Sequence, residues 1–186
     1  MNNEIRQRIH AFRQALEQAA SACSVDPSLV GWHNFIRDFP LGCCELASQT
    51  LVRYLREHDK HRFPCVISMD WSEGAEGHGH VIVALDGDYI DLTLDQFPGY
   101  DDYIEAEPIE SGGKMAAFIQ HVRRLGGSFT MHELSLDGIG DESEKLYSWL
   151  KESADRMLPV AAEAEAGCPV SRDILAEYRD NADNGV

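Results

Sequence analysis

The chain has 186 residues, 44% of them hydrophobic and 26% charged, and a formal net charge of −16. Such proportions belong to a folded protein with a core of ordinary size, and the length suits a single domain over residues 1–186. The charge argues against nucleic acid and anionic membranes as partners, because both repel an acidic surface, and it admits a basic protein partner or an amine-bearing substrate.

The N-terminal residues carry no apolar run of signal-peptide length, and no later stretch is long enough to span a bilayer. The five cysteines, Cys23, Cys43, Cys44, Cys65 and Cys168, are an odd number at irregular spacing. They match neither a secreted disulfide framework nor a CxxC zinc ribbon. Reduced thiols in a cytoplasmic protein are therefore the expectation.

In chain order, Ile5, Ile9, Phe12, Leu16 and Ala20 recur at helical spacing and predict an amphipathic helix from about 4 to 22. Asp26-Pro27 reads as a helix start, with Asp as the cap and Pro in the first turn. That short helix carries Val30, Phe35 and Phe39 and stops before Pro40. A Pro/Gly turn then delivers Cys43 and Cys44 onto the first turn of an apolar helix running to about residue 58. Residues 63–69 read as a strand with Pro64 at its start, and 71–79 as a glycine-rich loop. That loop has no following helix and no Lys, so it is not a phosphate cradle; Trp71 and its neighbours suit the wall or lid of a cleft.

Asp86-Gly87 between apolar runs is a strong hairpin signal. From Asp95 to Gly113 the chain reads as an irregular surface excursion. Met115, Phe118, Ile119 and Val122 form a second helical stripe, closed by Gly126-Gly127. Asp141 and Glu144 have capping-box spacing ahead of a third helix with Leu146, Leu150 and Met157 on one face. Pro159 ends it, Cys168-Pro169 punctuates again, and Ser171 caps a terminal helix holding Ile174, Leu175 and Tyr178. The expected fold is α+β: helices flanking a small antiparallel sheet, with a core from about 26 to 100 and a helical C-terminal extension from about 113 to 181.

The chemistry-bearing residues lie in the middle third. On a helix advancing roughly 100° per residue, Cys44 shares the apolar face of Leu51 and Leu55, whereas Cys43 sits about a quarter-turn away. That face must pack on the sheet, so Cys44 is the preferred nucleophile, able to meet a histidine carried by a strand. A helix N-terminus and a neighbouring imidazolium both favour a thiolate, and the partnerless N–H groups of the first turn suit an oxyanion. Glu45 opposes that charge and should point outward.

An Asp86-Gly87 turn pairs Leu85 with Asp88, Ala84 with Tyr89, Ile82 with Asp91 and His80 with Thr93. His80, Ile82, Tyr89, Asp91 and Thr93 then share one face, and Val81, Val83, Ile90 and Leu92 the other. Asp91 becomes the diagonal neighbour of His80, with Cβ atoms about 7 Å apart, within reach of the two side chains. An aspartate there orients the imidazole and stabilises its cation.

With Cys at a helix start and "His-Val-Ile-Val … Ile-Asp-Leu-Thr" on two adjacent strands, the chain resembles the transglutaminase-like branch of the papain-like cysteine enzymes. The resemblance covers about residues 39–97. It implies a papain-like core, Cys44 as nucleophile, His80 as general base and acid, and Asp91 as its orienting group, with no metal or organic cofactor. Val81-Ile82 stand where that family commonly has Ala-Trp, and Leu92 where it has Pro. No Trp-bearing segment of the usual kind precedes the cysteine unless Trp32 serves. The expected activity is cysteine-dependent hydrolysis or acyl transfer at an amide carbonyl of a peptide, protein or glutamine side chain.

Each of these residues also has a plainer reading. Cys44 alone is a small buried hydrophobe, His80 a hydrogen-bonded strand histidine and Asp91 a strand-end cap. Cys23, Cys43, Cys65 and Cys168 are read as structural thiols. His78 and His80, with a cysteine and Asp91, form the alternative of a zinc site; His78 otherwise belongs near the site mouth. Gln96 is either a donor to a substrate carbonyl or a turn residue, and the turn is favoured; Gln49 is read as surface. The competing function class is a non-catalytic acidic interaction protein with a vestigial site.

Overall fold

The structure is a computed structural model and describes residues 1–27, 29–132 and 141–159. The first helix, α1, spans Asn3–Ala22, capped by the Asn2 side chain, which accepts from the Ile5 N–H at 2.9 Å. A single 3-10 turn (Val30–Trp32) and a short helix α2 (His33–Ile36) follow. The cysteine helix α3 is Cys44–His58, and its buried positions Ala47, Ser48, Leu51, Val52, Tyr54 and Leu55 trace the apolar stripe expected from the sequence.

Five strands form one antiparallel sheet: β1 (Cys65–Glu73), β2 (Glu76–Leu85), β3 (Asp88–Asp91), β4 (Ile104–Pro108) and β5 (Ser128–His132), in the order β4-β3-β2-β1-β5. Between β4 and β5 lies α4 (Lys114–Arg124), and α5 (Asp141–Met157) closes the described chain. The α+β class is therefore as expected.

Side chains alternate across the sheet and divide the core in two. Val66, Val83, Leu85, Ile90 and Leu92 face a layer built from α1, α3 and α5, whose contributions include Phe12, Leu16, Leu51, Leu55 and Leu150. Ile67, Met69, Trp71, Ile82 and Ala84 face α4 through Met115, Phe118, Ile119 and Val122.

Several expectations are corrected. The segment 71–79 is not a loop: β1 and β2 run through it as a hairpin in which Trp71 pairs with His78 and Glu73 with Glu76. Alternation of small and polar residues masked the strand signal there, and the long β1–β2 ladder supplies the order that composition does not. Strands β4 and β5 were not expected. β4 pairs with β3 at the sheet edge, and β5 pairs with β1 at the other edge, inside the segment read as all-helical. Both edge strands interleave polar with apolar residues, Glu105 and Glu107 in β4 and Ser128, Thr130 and His132 in β5, so neither has the apolar run of a buried strand. The terminal helix expected at Ser171, and Cys168, lie outside the described residues.

The Asp86-Gly87 turn forms with both residues at positive φ, 52° and 82°. The register Leu85↔Asp88, Ala84↔Tyr89 follows, but the ladder ends at Val83↔Ile90. The pairs Ile82–Asp91 and His80–Thr93 do not form, because β2 and the chain after β3 part there.

Candidate active site

The parting of the two strands builds the site. Where β2 has lost its β3 neighbour, the first turns of α3 take its place: the Ser48 hydroxyl donates to the Val81 carbonyl at 2.8 Å. This satisfies a carbonyl that the missing ladder would leave orphaned. It also brings Cys44, the first residue of α3, to the side of β2 that bears His80.

Cys44 does not reach His80 through the sheet-packed face of its helix, which is the route the sequence predicts. Leu51 and Leu55 pack on the side of the sheet with Val83 and Leu85, opposite the side that carries His80. The His80 ring lies instead against Phe97 and Phe118, with centroids 4.8 and 5.5 Å away, both edge-on. Cys44 meets it from the helix end, beside the gap, and not across a packed face.

His80 has no exposed surface and Asp91 only 1%. His80 Nε2 lies 2.7 Å from Asp91 Oδ2, and the other carboxylate oxygen accepts from the Thr93 N–H at 2.9 Å and from its hydroxyl at 3.2 Å. Nε2 is therefore engaged with Asp91, and the Cys44 sulfur lies close enough to the ring to act on the charge of His80. Burial works against the charged imidazole, but the charge and hydrogen bond of Asp91, together with the Cys44 sulfur, outweigh it and raise the pKa from 6.5 to about 9. The ring is thus a cation at neutral pH, held between a carboxylate and a thiol.

The two adjacent cysteines have separate environments. Cys43 is buried and its thiol donates to the Phe35 and Leu41 carbonyls at 3.1 and 3.4 Å. Burial, the neighbouring Cys44 and Asp38 push its pKa up to about 11, which makes it a poor nucleophile. Cys44 is half-buried and free. Glu45 is exposed and accepts from Gln49 at 2.9 Å, so its charge points away from the thiol, as expected.

Gln96 belongs to the site rather than to the turn alone. Its Oε1 accepts from the Gly42 N–H at 3.2 Å, its Nε2 donates to the Thr93 carbonyl at 2.9 Å, and the same nitrogen is 3.4 Å from His80 Nδ1. It ties the segment before Cys44 to the segment after Asp91. Only its place five residues after Asp91 hinted at this.

Phe97 and Phe118 carried no sequence signal beyond their hydrophobicity. They also wall a cleft of about 490 Å³ that takes in Trp71, Tyr100, Glu73 and His78. Trp71 thus lines a cleft, and His78 stacks on it at 5.5 Å. A larger cavity of about 650 Å³, lined by Gln14, Gln18 and Trp149 among others, touches none of these residues. Among the described residues, no group of three or more His, Cys, Asp or Glu side chains is placed to hold a metal ion, so His78, on the Trp71 side, does not join His80 in a zinc site. Cys23 bonds the Ala20 carbonyl and Cys65 the Ala84 carbonyl, both away from His80 and Asp91.

No family model and no solved structure matches the chain. Over 117 residues, 63% of the chain, it is 50% identical to "Uncharacterized protein YuaU" of Escherichia coli strain K12. A protein of the same name from E. coli strain UTI89 / UPEC matches with the same identity and coverage. The chain spans about half the length of these relatives, 53%, and their names carry no activity. Among the described residues no helix is long and apolar enough to cross a membrane.

Proposed function

We propose that the protein is a cysteine-dependent hydrolase or acyl transferase acting on an amide carbonyl, in a peptide or a glutamine side chain. Its core would be papain-like in the transglutaminase sense, with the helix of the nucleophile set against an antiparallel sheet. One observation carries this reading: a fully buried imidazole lies 2.7 Å from a buried carboxylate and beside the half-buried Cys44 sulfur, which acts on its charge.

The Cys44 sulfur, with His80 holding the proton, attacks the carbonyl carbon, and its oxygen gains the negative charge. Backbone N–H groups of the first turn of α3 have no helical acceptors and can receive that oxygen. As the tetrahedral species collapses, the C–N bond breaks and His80 passes its proton to the leaving amine, leaving a thioester on Cys44. Water or a second amine then attacks the thioester carbon, gives a proton to His80, and releases the thiolate. Asp91 holds the ring in position throughout.

The rate of iodoacetamide labelling against pH, for wild type, Cys44→Ala, Cys43→Ala and His80→Ala, tests the reading. Cys44 should label faster than a free thiol near pH 6, and His80→Ala should slow it by about tenfold or more. If Cys44 labels like a free thiol, or ignores the loss of His80, the enzyme reading fails. Labelling that follows Cys43 would keep the class and move the nucleophile. Turnover of a peptide and amine library would then identify the acyl donor and acceptor.

A further inference from the structure

Arg13, on α1, is distant in sequence from every residue of the site, yet only 5% of its surface is exposed. A guanidinium stays charged at any ordinary pH, so burying it requires acceptors for its five donors. Nη1 donates to the Leu92 carbonyl. Nη1 and Nη2 donate to the two carboxylate oxygens of Asp95 at 3.2 and 2.8 Å. Nε donates to Glu17, on its own helix, at 2.8 Å. The Phe39 ring covers the guanidinium carbon at 4.4 Å, and the Tyr103 ring lies 5.2 Å away.

These partners fall in the two segments that carry the site. Leu92 and Asp95 sit immediately inside Asp91 and Gln96 along the chain, so Arg13 grips both ends of the turn between them. Phe39 begins the run through Gly42 to Cys44. Gln96 and Gly42 already join the two segments at 3.2 Å, and Arg13 joins them again from beneath.

We propose that Arg13 is a positioning residue for the triad: its guanidinium clamps the 91–96 turn, with Asp91 and Gln96, against the 39–44 segment, with Cys44. The task suits arginine and not lysine. A planar fork can bond a carboxylate through two nitrogens, add a carbonyl, and still offer a flat face to an aromatic ring. The proposal rests on the triad reading above, but the clamp itself can be measured without turnover.

The test compares wild type with Arg13→Lys and Asp95→Asn, and with Arg53→Lys as a control. Arg53 is similarly tied, to Glu144 at 2.6 and 2.7 Å, but touches no residue of the site. Two properties are read on cooperatively folded protein: the NMR titration of the His80 ring, and the rate at which iodoacetamide labels Cys44. In Arg13→Lys the His80 midpoint should fall toward its ordinary value of about 6.5. Labelling should slow by about 10- to 100-fold, because displacement of a catalytic group by a fraction of an ångström to an ångström has that effect. Asp95→Asn should shift both in the same direction by less, and Arg53→Lys should shift neither. If Arg13→Lys and Asp95→Asn keep the wild-type titration and labelling while only melting earlier, Arg13 is a structural staple and the proposal is overturned. If wild-type Cys44 is no more reactive than a free thiol, but Arg13→Lys still moves the His80 titration, the clamp stands and the enzyme reading falls.

Discussion

A histidine with no exposed surface would ordinarily lose its charge, because desolvation penalises the cation. His80 keeps it because Asp91, itself buried, lies 2.7 Å away and spends its other oxygen on Thr93. Raised to about 9 in the folded protein from an ordinary 6.5, His80 contributes stability that is fully present below about pH 6.5 and lost as pH rises through about 9. Urea denaturation of the wild type should therefore give decreasing stability between those two pH values, with other groups held to their own ranges. Asp91→Asn removes the charge that holds the proton. It should cost about 2–3 kcal/mol near neutral pH, flatten the decline toward pH 9, and slow Cys44 labelling. An unchanged slope in Asp91→Asn would show that the pair does not set the charge of His80.

The helix α4 matters to the site because Phe118 packs edge-on to the His80 ring, 5.5 Å away. What starts α4 is not a residue of its own. Gly113, its cap position, has no side chain to bond the first N–H groups, and Glu107 on β4 supplies the acceptor: Oε1 receives the Met115 and Ala116 N–H groups at 3.0 and 3.3 Å. A Cβ at Gly113 would meet the Glu107 carboxyl at 2.5 Å, so the glycine makes room for its cap. Glu107→Ala should destabilise the protein by about 1 kcal/mol, the usual worth of a helix cap, and Glu107→Gln by less. Equilibrium unfolding of the two variants checks this; equal losses would mean that the carboxylate acts through charge alone. At the other end, Gly127 lets the chain double back, since a Cβ there would lie 2.5 Å from Val122 Cγ1 and 3.0 Å from the Asp70 carbonyl oxygen. Ala at that position should cost more than the cap, because backbone and a packed valine must both move.

Between helical layers on both sides, the sheet is covered on each face, which places His80 in one layer and the helix of Cys44 in the other. The site is therefore a contact at the boundary of the two layers, and it exists only while both are packed. Over this fold lies a net charge of −16, whose self-repulsion opposes compaction. Salt should accordingly raise the melting temperature from very low ionic strength to physiological strength, where the screening length falls to about 8 Å. Partly buried ion pairs such as Arg13–Asp95 are screened less than exposed ones and should not reverse that trend. A melting temperature that falls with added salt would mean that attractive pairs, not the net acid, dominate the surface.

The sequence by itself determined the local elements: apolar spacing set α1, α3 and α4, the Asp86-Gly87 turn set the hairpin, and side-chain alternation put His80 and Asp91 on one face. These are consequences of chain geometry over a few residues, and no distant contact is needed to fix them. Tertiary structure alone decided where β2 and β3 separate, because that depends on a helix from elsewhere capping the Val81 carbonyl through Ser48. It also decided that Cys44 meets His80 from the helix end, on the far side of the sheet from Leu51. It placed Gln96, Phe97 and Phe118 around the ring, and brought Arg13 under both segments that carry the site. Partners brought together from separate stretches of the chain leave no period in the sequence, and only the packed layers reveal which polar groups had to find each other once water was excluded.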